Sequence, residues 1–269
     1  MSNNLLKRLI VAAVGIPVLI FIIFKGGLFL YGFCLLVAVL GSWELTAMLL
    51  SKKIQIGKRL VTPLVIALVS IFQFSTYGET GLIIIFVLFF LAAFLKMIET
   101  SVVEYTSGLS MLLFAAVYPG FFISFSILIR RDIPDIGWVI LLMTFVNVWV
   151  ADTFAYAFGL ALGKRKLAPR VSPNKTWAGF IFAFPGGALS ALAAFYYLDG
   201  RPGLPLLLAV SLAATLFGQI GDLVESAIKR DCDVKDSSNL IPGHGGILDR
   251  FDSLLFALPI VYFTFRLFG

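Results

Sequence analysis

Residues 137–162, GWVILLMTFVNVWVADTFAYAFGLAL, contain one charged side chain, that of Asp152. About 20 apolar residues in a helix are enough to cross the hydrocarbon core of a bilayer, so this stretch predicts a membrane-spanning helix. Apolar runs of similar length recur along most of the chain. Together they predict an all-α, polytopic integral membrane protein.

The composition is that of a protein whose surface faces lipid. Of the 269 residues, 60% are hydrophobic and only 13% are charged, and the mean hydropathy is +1.00. A soluble domain carries about 25% charged residues. We therefore interpret residues 1–269 as a single transmembrane domain. The first apolar run follows Lys7 and Arg8 and lacks a small-residue cleavage site, which predicts a retained helix rather than a removed signal peptide.

Nine apolar runs are candidate spans, separated by short connectors with glycine, proline or charge. They cover roughly residues 9–24, 28–50, 61–76, 82–98, 106–129, 137–162, 176–198, 204–228 and 252–268. The spans in residues 1–135 carry few recognisable motifs, and the sequence offers no account of Glu44 in the second span. Residues 136–269 carry the polar motifs.

The lysines and arginines fall unevenly on the connectors. If the N-terminus is cytoplasmic, nine spans place 16 of the 21 basic residues on the cytoplasmic side, as the positive-inside rule requires. The C-terminus then lies on the far side, and both of the later polar loops face the cytoplasm. The net charge of +6 is better explained by basic residues that set the membrane topology and bind phosphate than by binding of nucleic acid. Cys34 and Cys232 form no CxxC pair, so we expect reduced thiols rather than a zinc site.

The end of the eighth span, GQIGDLVESAIKR at residues 218–230, brings acids into an apolar helix. Asp222, Glu225, Ser226 and Lys229 stand at positions i, i+3, i+4 and i+7 and so share one helical face. A solvated helix end would explain them, but acids within a membrane span usually face a cavity or a partner. Gly218 and Gly221 thin the same helix, which favours a packed site.

Two further acids, Asp249 and Asp252, open the ninth span in the sequence GILDRFDS at residues 246–253. They could simply complement the helix dipole. Together with Asp222 and Glu225, however, they make a metal site the better interpretation. An oxygen-rich ligand set is typical of Mg²⁺, which binds through a few carboxylates and substrate phosphates.

Two loops carry features that suit phosphate. The sequence NLIPGHGG at residues 239–246 can expose backbone N–H groups to an anion, although glycines also simply make turns. The sequence SPNKT predicts a turn at Ser172-Pro173 and places Lys175 and Thr176 where the seventh span begins, at a helix N-terminus that suits phosphate. The basic residues at 164–166 could be topology signals alone. Asp152 is a functional candidate because it lies deep in an apolar run, unless it only pairs with a nearby lysine or arginine.

The pattern S-x-x-K-R-x4-K-D-x3-L-I-P-G-H-G-G-x-x-D-R-x-D, from Ser226 to Asp252, resembles the signature of the phosphatidate cytidylyltransferases, or CDP-diacylglycerol synthases. SPNKT and ADTFAYAFG (residues 151–159) resemble other recurrent segments of that family. The resemblance is close in the C-terminal half, and the N-terminal half matches only as generic spans. The loop DCDVKDSSN, residues 231–239, departs from the pattern, which leaves its conformation open.

The resemblance implies a Mg²⁺-dependent reaction of CTP with phosphatidate that gives CDP-diacylglycerol and pyrophosphate. Asp222 and Asp249 would bind one or two cations, supported by Glu225 and Asp252. The basic residues that would hold phosphates are Lys175, Lys229, Arg230, Lys235 and Arg250. The substrate site would also include Asp152, Ser172, Asn174, Thr176, Ser226, His244, Gly245 and Gly246. The phosphatidate phosphate is already ionised near neutral pH, so the reaction needs positioning and charge neutralisation more than a strong base.

The resemblance further implies a multi-pass protein of the bacterial cytoplasmic membrane, a homodimer, and acyl chains that stay in the lipid. Nucleic acid is not an expected partner. One alternative is a CTP-dependent polyprenol or phytol kinase, which would release CDP instead of pyrophosphate. A CDP-alcohol phosphotransferase is disfavoured because its D-G-x2-A-R-x8-G-x3-D-x3-D pattern is absent. A cation-coupled transporter is the alternative from another class, although the chain shows no internal repeat.

Overall fold

The apolar runs form helices in the computed structural model, which describes residues 3–51, 58–74, 78–99, 105–240 and 245–269. Within those ranges the secondary structure comprises nine α-helices and one pair of short strands. In chain order they are α1 (Asn3–Lys25), α2 (Gly27–Leu50), α3 (Lys58–Phe74), α4 (Gly78–Glu99), α5 (Tyr105–Asp132), α6 (Gly137–Leu162), β1 (Lys166–Ala168), β2 (Ser172–Thr176), α7 (Trp177–Tyr197), α8 (Leu204–Asp231) and α9 (Leu248–Phe268).

Six of the described helices, α2 and α5 to α9, are long and apolar enough to cross a membrane. The other three contain shorter apolar segments, at residues 13–25, 59–74 and 87–98. Large apolar side chains such as Phe29, Phe90 and Leu160 are exposed on the protein surface. A water-facing surface would not carry so many of them, so the prediction of an all-α, polytopic membrane protein is confirmed.

Five of the helices contain an internal proline, at Pro17, Pro63, Pro119, Pro185 and Pro259. Proline removes one backbone hydrogen bond and disrupts a helix in water. Membrane helices tolerate it, because neighbouring helices and hydroxyl side chains satisfy the freed carbonyls. Several prolines in long helices are therefore a further mark of a bilayer protein.

The chain folds into two compact units. Unit 1 is built from residues 1–128 and 232–250, and unit 2 from residues 129–231 and 251–269. In unit 1, α2 packs against α1 and α3, and α3 packs against α4. Gly41 of α2 marks a close approach: a Cβ there would lie 3.1 Å from Leu248 Cδ2 and 3.2 Å from Pro119 Cβ. The segment that follows α8 along the chain, residues 232–250, thus belongs to the unit that contains the N-terminal helices.

In unit 2, α6, α7 and α8 pack together around a buried polar cluster centred on Asn147 of α6. Its Nδ2 atom donates to Ser211 Oγ at 2.6 Å and Ser190 Oγ at 3.1 Å, and its Oδ1 atom accepts from Thr215 Oγ1 at 3.1 Å. Gly187 of α7 allows the close approach, because a Cβ there would come within 3.0 Å of Asn147 Nδ2. Asp152 lies on α6 and Asp222 on α8, and α7 follows the strand that carries Lys175. These three helices are therefore joined by polar contacts as well as by packing.

Between α6 and α7 the chain forms a small antiparallel hairpin, with Lys166 opposite Thr176 and Ala168 opposite Ser172. The all-α prediction did not include these strands. The prediction of a turn at Ser172-Pro173 was wrong: both residues lie in β2, and the turn is formed by residues 169–171. The physical reason is that the chain must reverse before α7, and proline is acceptable in a two-stranded hairpin because each strand has an unpaired edge.

Candidate active site

Lys175 and Asp222 form an ion pair between the hairpin and α8, with Lys175 Nζ 2.5 Å from Asp222 Oδ2. The other carboxylate oxygen of Asp222, Oδ1, accepts a hydrogen bond from Ser226 Oγ at 3.4 Å. Both side chains of the ion pair remain partly exposed, at 26% for Lys175 and 30% for Asp222. The structure therefore brings together three residues that the sequence assigns to the site and leaves the ion pair open to solutes.

One helical turn further along α8, Glu225 and Lys229 form a second ion pair, with Nζ 2.6 Å from Oε2. The Glu225 side chain is almost wholly buried, whereas that of Lys229 is 12% exposed. The i,i+4 contacts of Ser226 with Asp222 and of Lys229 with Glu225 confirm that the four residues share one face of α8.

Two more carboxylates belong to the same cluster of unit 2. Asp152 of α6 interacts electrostatically with Asp222 and Lys175, and Asp252 of α9 interacts with Asp222, Glu225 and Asp152. With all groups ionised, the four carboxylates exceed the two lysines that pair with them by two negative charges. We refer to Asp152, Asp222, Glu225, Asp252, Lys175 and Lys229 as the acid–lysine cluster.

Glycine makes the approach of α8 to α9 possible at this cluster. A Cβ on Gly221 would lie 2.6 Å from the carbonyl oxygen of Asp252 and 3.0 Å from Phe256 Cβ. A Cβ on Gly218 would be in ordinary contact with Ser253. The sequence-based interpretation of Gly221 as a residue that allows packing is confirmed, whereas the space at Gly218 would also admit a Cβ.

The start of α7 is capped by its own chain. Thr176 Oγ1 accepts a hydrogen bond from Gly179 N at 3.1 Å, the usual arrangement at a helix N-terminus. A Cβ on Gly163 would lie 2.6 Å from this hydroxyl, so the cap is tightly enclosed. Arg230 of α8 donates from Nε to the carbonyl oxygen of Val171 at 3.3 Å. Thr176 and Arg230 thus fix the hairpin that carries Lys175.

In unit 1, Asp249 occupies the first turn of α9 and holds the preceding loop. Its Oδ2 atom accepts hydrogen bonds from Gly246 N at 2.8 Å, Ser237 N at 3.0 Å and Ser237 Oγ at 3.0 Å. Gly245 adopts φ +82°, and a Cβ on it would lie 2.7 Å from Asp249 Oδ2. The N–H group of Gly246, a candidate phosphate ligand from the sequence, is therefore directed at a protein carboxylate.

Glu44 of α2 is a second acid bound to the same loop, and its side chain is buried. Its Oε1 atom accepts from Ser238 Oγ at 2.6 Å and Ile247 N at 2.8 Å. Its Oε2 atom accepts from Ser237 Oγ and Leu248 N, both at 2.9 Å. Sequence reasoning missed the role of Glu44 and both serines. The available signal was an acid within an apolar span, which is seldom without a partner.

The other residues assigned from the sequence have different surroundings. Asn174, Lys235 and Arg250 are exposed, and Ser172 is half-buried in β2. His244 lies outside the described residues. The basic residue Arg165, next to the hairpin, is 5.9 Å from the ring of Trp177. The structure thus joins Asp152, Lys175, Asp222, Glu225, Ser226, Lys229 and Asp252 in unit 2, and it places Gly245, Gly246 and Asp249 in unit 1.

The donor set of unit 2 suits a divalent cation in charge and in chemistry. With all of its groups ionised the cluster has an excess of two negative charges, and its donors are carboxylate oxygens, which Mg²⁺ prefers. Among the described residues, no group of three or more His, Cys, Asp or Glu side chains is close enough to bind a metal by itself.

Comparison with known proteins gives a consistent result. The chain matches the cytidylyltransferase family over residues 6–268. It is 36% identical to a phosphatidate cytidylyltransferase of Bacillus subtilis over 277 aligned positions, which cover 98% of both chains. It is 51% identical over 121 residues to a phosphatidate cytidylyltransferase of Staphylococcus aureus, covering 45% of this chain and 46% of that one. A Staphylococcus haemolyticus protein of the same name is 48% identical over 121 residues.

Proposed function

The chain belongs to the cytidylyltransferase family, and we propose that it transfers the cytidylyl group of CTP to phosphatidate, giving CDP-diacylglycerol and pyrophosphate. The observation that carries this proposal is the 36% identity with the Bacillus subtilis phosphatidate cytidylyltransferase along 98% of both chains. The protein is accordingly a nucleotidyltransferase of phospholipid biosynthesis that works in a membrane.

The reaction forms a bond between a phosphate oxygen of phosphatidate and the α-phosphorus of CTP. The bond from that phosphorus to the β-phosphate bridging oxygen breaks, and pyrophosphate leaves with the electron pair. The nucleophile is already an anion near neutral pH, so the enzyme has to bring two anions together and stabilise the charge of the transition state. Basic side chains aimed at phosphate are the natural means.

Lys175 is the first such side chain. In the structure its ammonium group is held by Asp222. We expect Lys175 to exchange this carboxylate for a phosphate oxygen when the substrates bind, so that one ionic contact of the lysine replaces another. Lys229 is oriented in the same way by Glu225. Ser226, by its hydrogen bond to Asp222, keeps that carboxylate in place.

The remaining assignments follow the sequence. Arg230, Lys235 and Arg250 would bind phosphates. The substrate site would also include Asp152, Ser172, Asn174, Thr176, His244, Gly245 and Gly246. Asp222 and Asp249 are the proposed Mg²⁺ ligands, supported by Glu225 and Asp252. When bound, Mg²⁺ would neutralise phosphate charge and make the pyrophosphate a better leaving group.

We also propose the cytoplasmic membrane as the location, with the N-terminus and the polar loops on the cytoplasmic side, where CTP is found. The support is the distribution of lysine and arginine, of which 16 of 21 fall on that side. A homodimer is proposed on the resemblance to the family alone.

The products identify the reaction directly. The purified protein in detergent is given phosphatidate and CTP labelled at the α-phosphorus. We expect the label in a lipid product and the release of one pyrophosphate per lipid formed. Release of labelled CDP, with no label in lipid, would instead indicate a CTP-dependent lipid kinase and overturn the proposal.

A further inference from the structure

The buried carboxylate of Glu44 joins two parts of unit 1 that are distant in sequence. It lies on α2, yet its four hydrogen-bond donors come from residues 237, 238, 247 and 248. Each carboxylate oxygen lies within hydrogen-bond distance of two donors, at 2.6 to 2.9 Å. The side chain is only 6% exposed, so a buried charge has been given a full set of donors.

Two of these donors, Ile247 N and Leu248 N, are backbone groups at the N-terminus of α9. N–H groups at this end of a helix have no partner within the helix, and an anion there is favoured by the helix dipole. Glu44 thus acts as a helix cap supplied by another helix. The two N–H groups that it accepts from directly precede Asp249 and Arg250 in the chain.

The contact between Glu44 and Asp249 runs through one serine. Ser237 Oγ lies 2.9 Å from Glu44 Oε2 and 3.0 Å from Asp249 Oδ2. A hydroxyl has one proton, so it donates to only one of these carboxylates at a time. The backbone N–H of Ser237 donates to Asp249 Oδ2 in addition. A displacement of Ser237 therefore changes the surroundings of Asp249.

The contact between Glu44 and Ser237 leaves no room for a side chain at Gly246. A Cβ there would overlap Ser237 Oγ and would lie 2.5 Å from Glu44 Oε2 and 2.7 Å from Oε1. Only a residue without a side chain lets the backbone pass so close to this carboxylate. The close approach of Gly246 to Glu44 is therefore an observation independent of the hydrogen bonds themselves.

We propose that Glu44 is a positioning residue for cytidylyl transfer, which fixes Asp249 and Arg250 through Ser237, Ser238 and the N-terminus of α9. The proposal rests on the proposed function, because Asp249 and Arg250 are assigned to the active site there. It gives a role to the N-terminal half of the chain, which supplies an anchor for the loop rather than a group that touches the substrates.

The test combines kinetics with a probe of local structure. Glu44→Gln keeps the shape of the side chain but replaces an acceptor by an N–H₂ group that faces donors. Gly246→Ala displaces the loop from the other side. Ser42→Ala is the matched control, because Ser42 is buried in the same helix and its hydroxyl has no hydrogen-bond partner among the described residues. Gly32→Ala controls for the glycine, since a Cβ there meets nothing within 4 Å.

Two buried cysteines supply the structural probe, both in unit 1. Cys232 begins the segment that ends at Arg250, and Cys34 lies within α2. Labelling by a maleimide, followed by mass spectrometry of each peptide, reports whether the segment has loosened. A loosened segment exposes Cys232 alone, whereas general unfolding exposes Cys34 as well.

We expect Glu44→Gln and Gly246→Ala to lower kcat by about 10- to 100-fold, the usual effect of losing a group that orients a ligand residue. The KM for CTP should change far less than kcat. Cys232 should be labelled faster and Cys34 as in the unchanged protein. Glu44→Asp, which keeps the charge, should recover part of kcat. Both control variants should keep their kcat.

Wild-type kcat in Glu44→Gln would overturn the proposal, and so would a loss of activity with Cys34 and Cys232 labelled equally fast. The failure of the proposed function would look different. In that case the unchanged protein would form no CDP-diacylglycerol, while the labelling of Cys232 would still report on the contact with Glu44.

Discussion

At the scale of single residues, Asp222 combines the roles of anchor and candidate ligand. One of its oxygens pairs with Lys175 and the other accepts from Ser226, so its orientation is fixed before any substrate arrives. The carboxylate is therefore already directed into the site where a cation or the ammonium group of Lys175 can contact it. The ion pair also keeps Lys175 at the site while no phosphate is bound.

The change Asp222→Asn tests this role. It removes the charge but preserves the size of the side chain, so Lys175 loses its ionic partner and any cation loses a ligand. We expect kcat to fall by about 100-fold or more, the scale seen when a preorganised electrostatic group is removed. Turnover with labelled CTP across a Mg²⁺ titration measures the effect.

Asp199→Asn is the matched control for Asp222→Asn. Asp199 is an exposed acid in the turn between α7 and α8 and has φ +50°, a conformation that asparagine also accepts. The Asp199→Asn variant should keep the activity of the unchanged protein. Near wild-type turnover by Asp222→Asn at every Mg²⁺ concentration would show that Asp222 is not a ligand.

At the scale of elements, helix packing in unit 2 depends on a few small and polar residues. Lipid gives apolar helices little reason to associate, so hydrogen bonds and close backbone contacts have to hold them. The side chain of Asn147 on α6 forms hydrogen bonds with residues of α7 and α8, and it lies five residues before Asp152. These hydrogen bonds therefore help to hold the helices that present the acid–lysine cluster.

Asn147→Leu should destabilise unit 2. The substitution leaves Ser190 and Ser211 without their donor and Thr215 without its acceptor on α6. We expect a loss of about 1–2 kcal/mol in the free energy of unfolding, since interhelical hydrogen bonds in membranes contribute on this scale. Thermal unfolding in detergent measures it.

Thr144→Val is the control for Asn147→Leu, because Thr144 is buried one turn away on α6 and its hydroxyl donates to Ile140 O of the same helix. It should unfold close to the temperature of the unchanged protein. An equal loss of stability in both variants would mean that the contacts between helices contribute nothing specific.

At the scale of the whole molecule, the order of residues in the chain does not match the division into units. Residues 232–250 follow α8 but belong to unit 1, together with the N-terminal helices. Candidate site residues are consequently found in both units, and Glu44 from the N-terminal half contributes to the loop that carries Asp249. A truncated chain that keeps only residues 136–269 would lack this anchor.

The proposed orientation is also tested on the whole molecule. Alkaline phosphatase is active only after export from the cytoplasm. We expect a fusion after Gly269 to be active and a fusion in the hairpin turn, after Arg170, to be inactive, because nine spans with a cytoplasmic N-terminus place these points on opposite sides. Equal activity of both fusions would contradict the orientation.

The sequence by itself determined the membrane class, the nine described helices and the family, because each depends on local or contiguous features. Apolar runs long enough for a bilayer form helices wherever they occur in a chain. The shared face of Asp222, Glu225, Ser226 and Lys229 follows from helical geometry alone. A long motif such as that from Ser226 to Asp252 is likewise read directly from the order of residues.

Only the tertiary structure decided which of these groups meet. Lys175 and Asp222 are 47 positions apart, and Glu44 lies more than 190 positions before its partners at 237 and 238. No pattern of hydrophobicity encodes such pairs, because they depend on how helices pack. The hairpin at 166–176 escaped prediction for the same reason, since its strands are defined by pairing with each other. From the sequence, Gly245 and Gly246 could simply form a turn. Only the tertiary structure shows that Gly245 lies close to Asp249 and Gly246 close to Glu44.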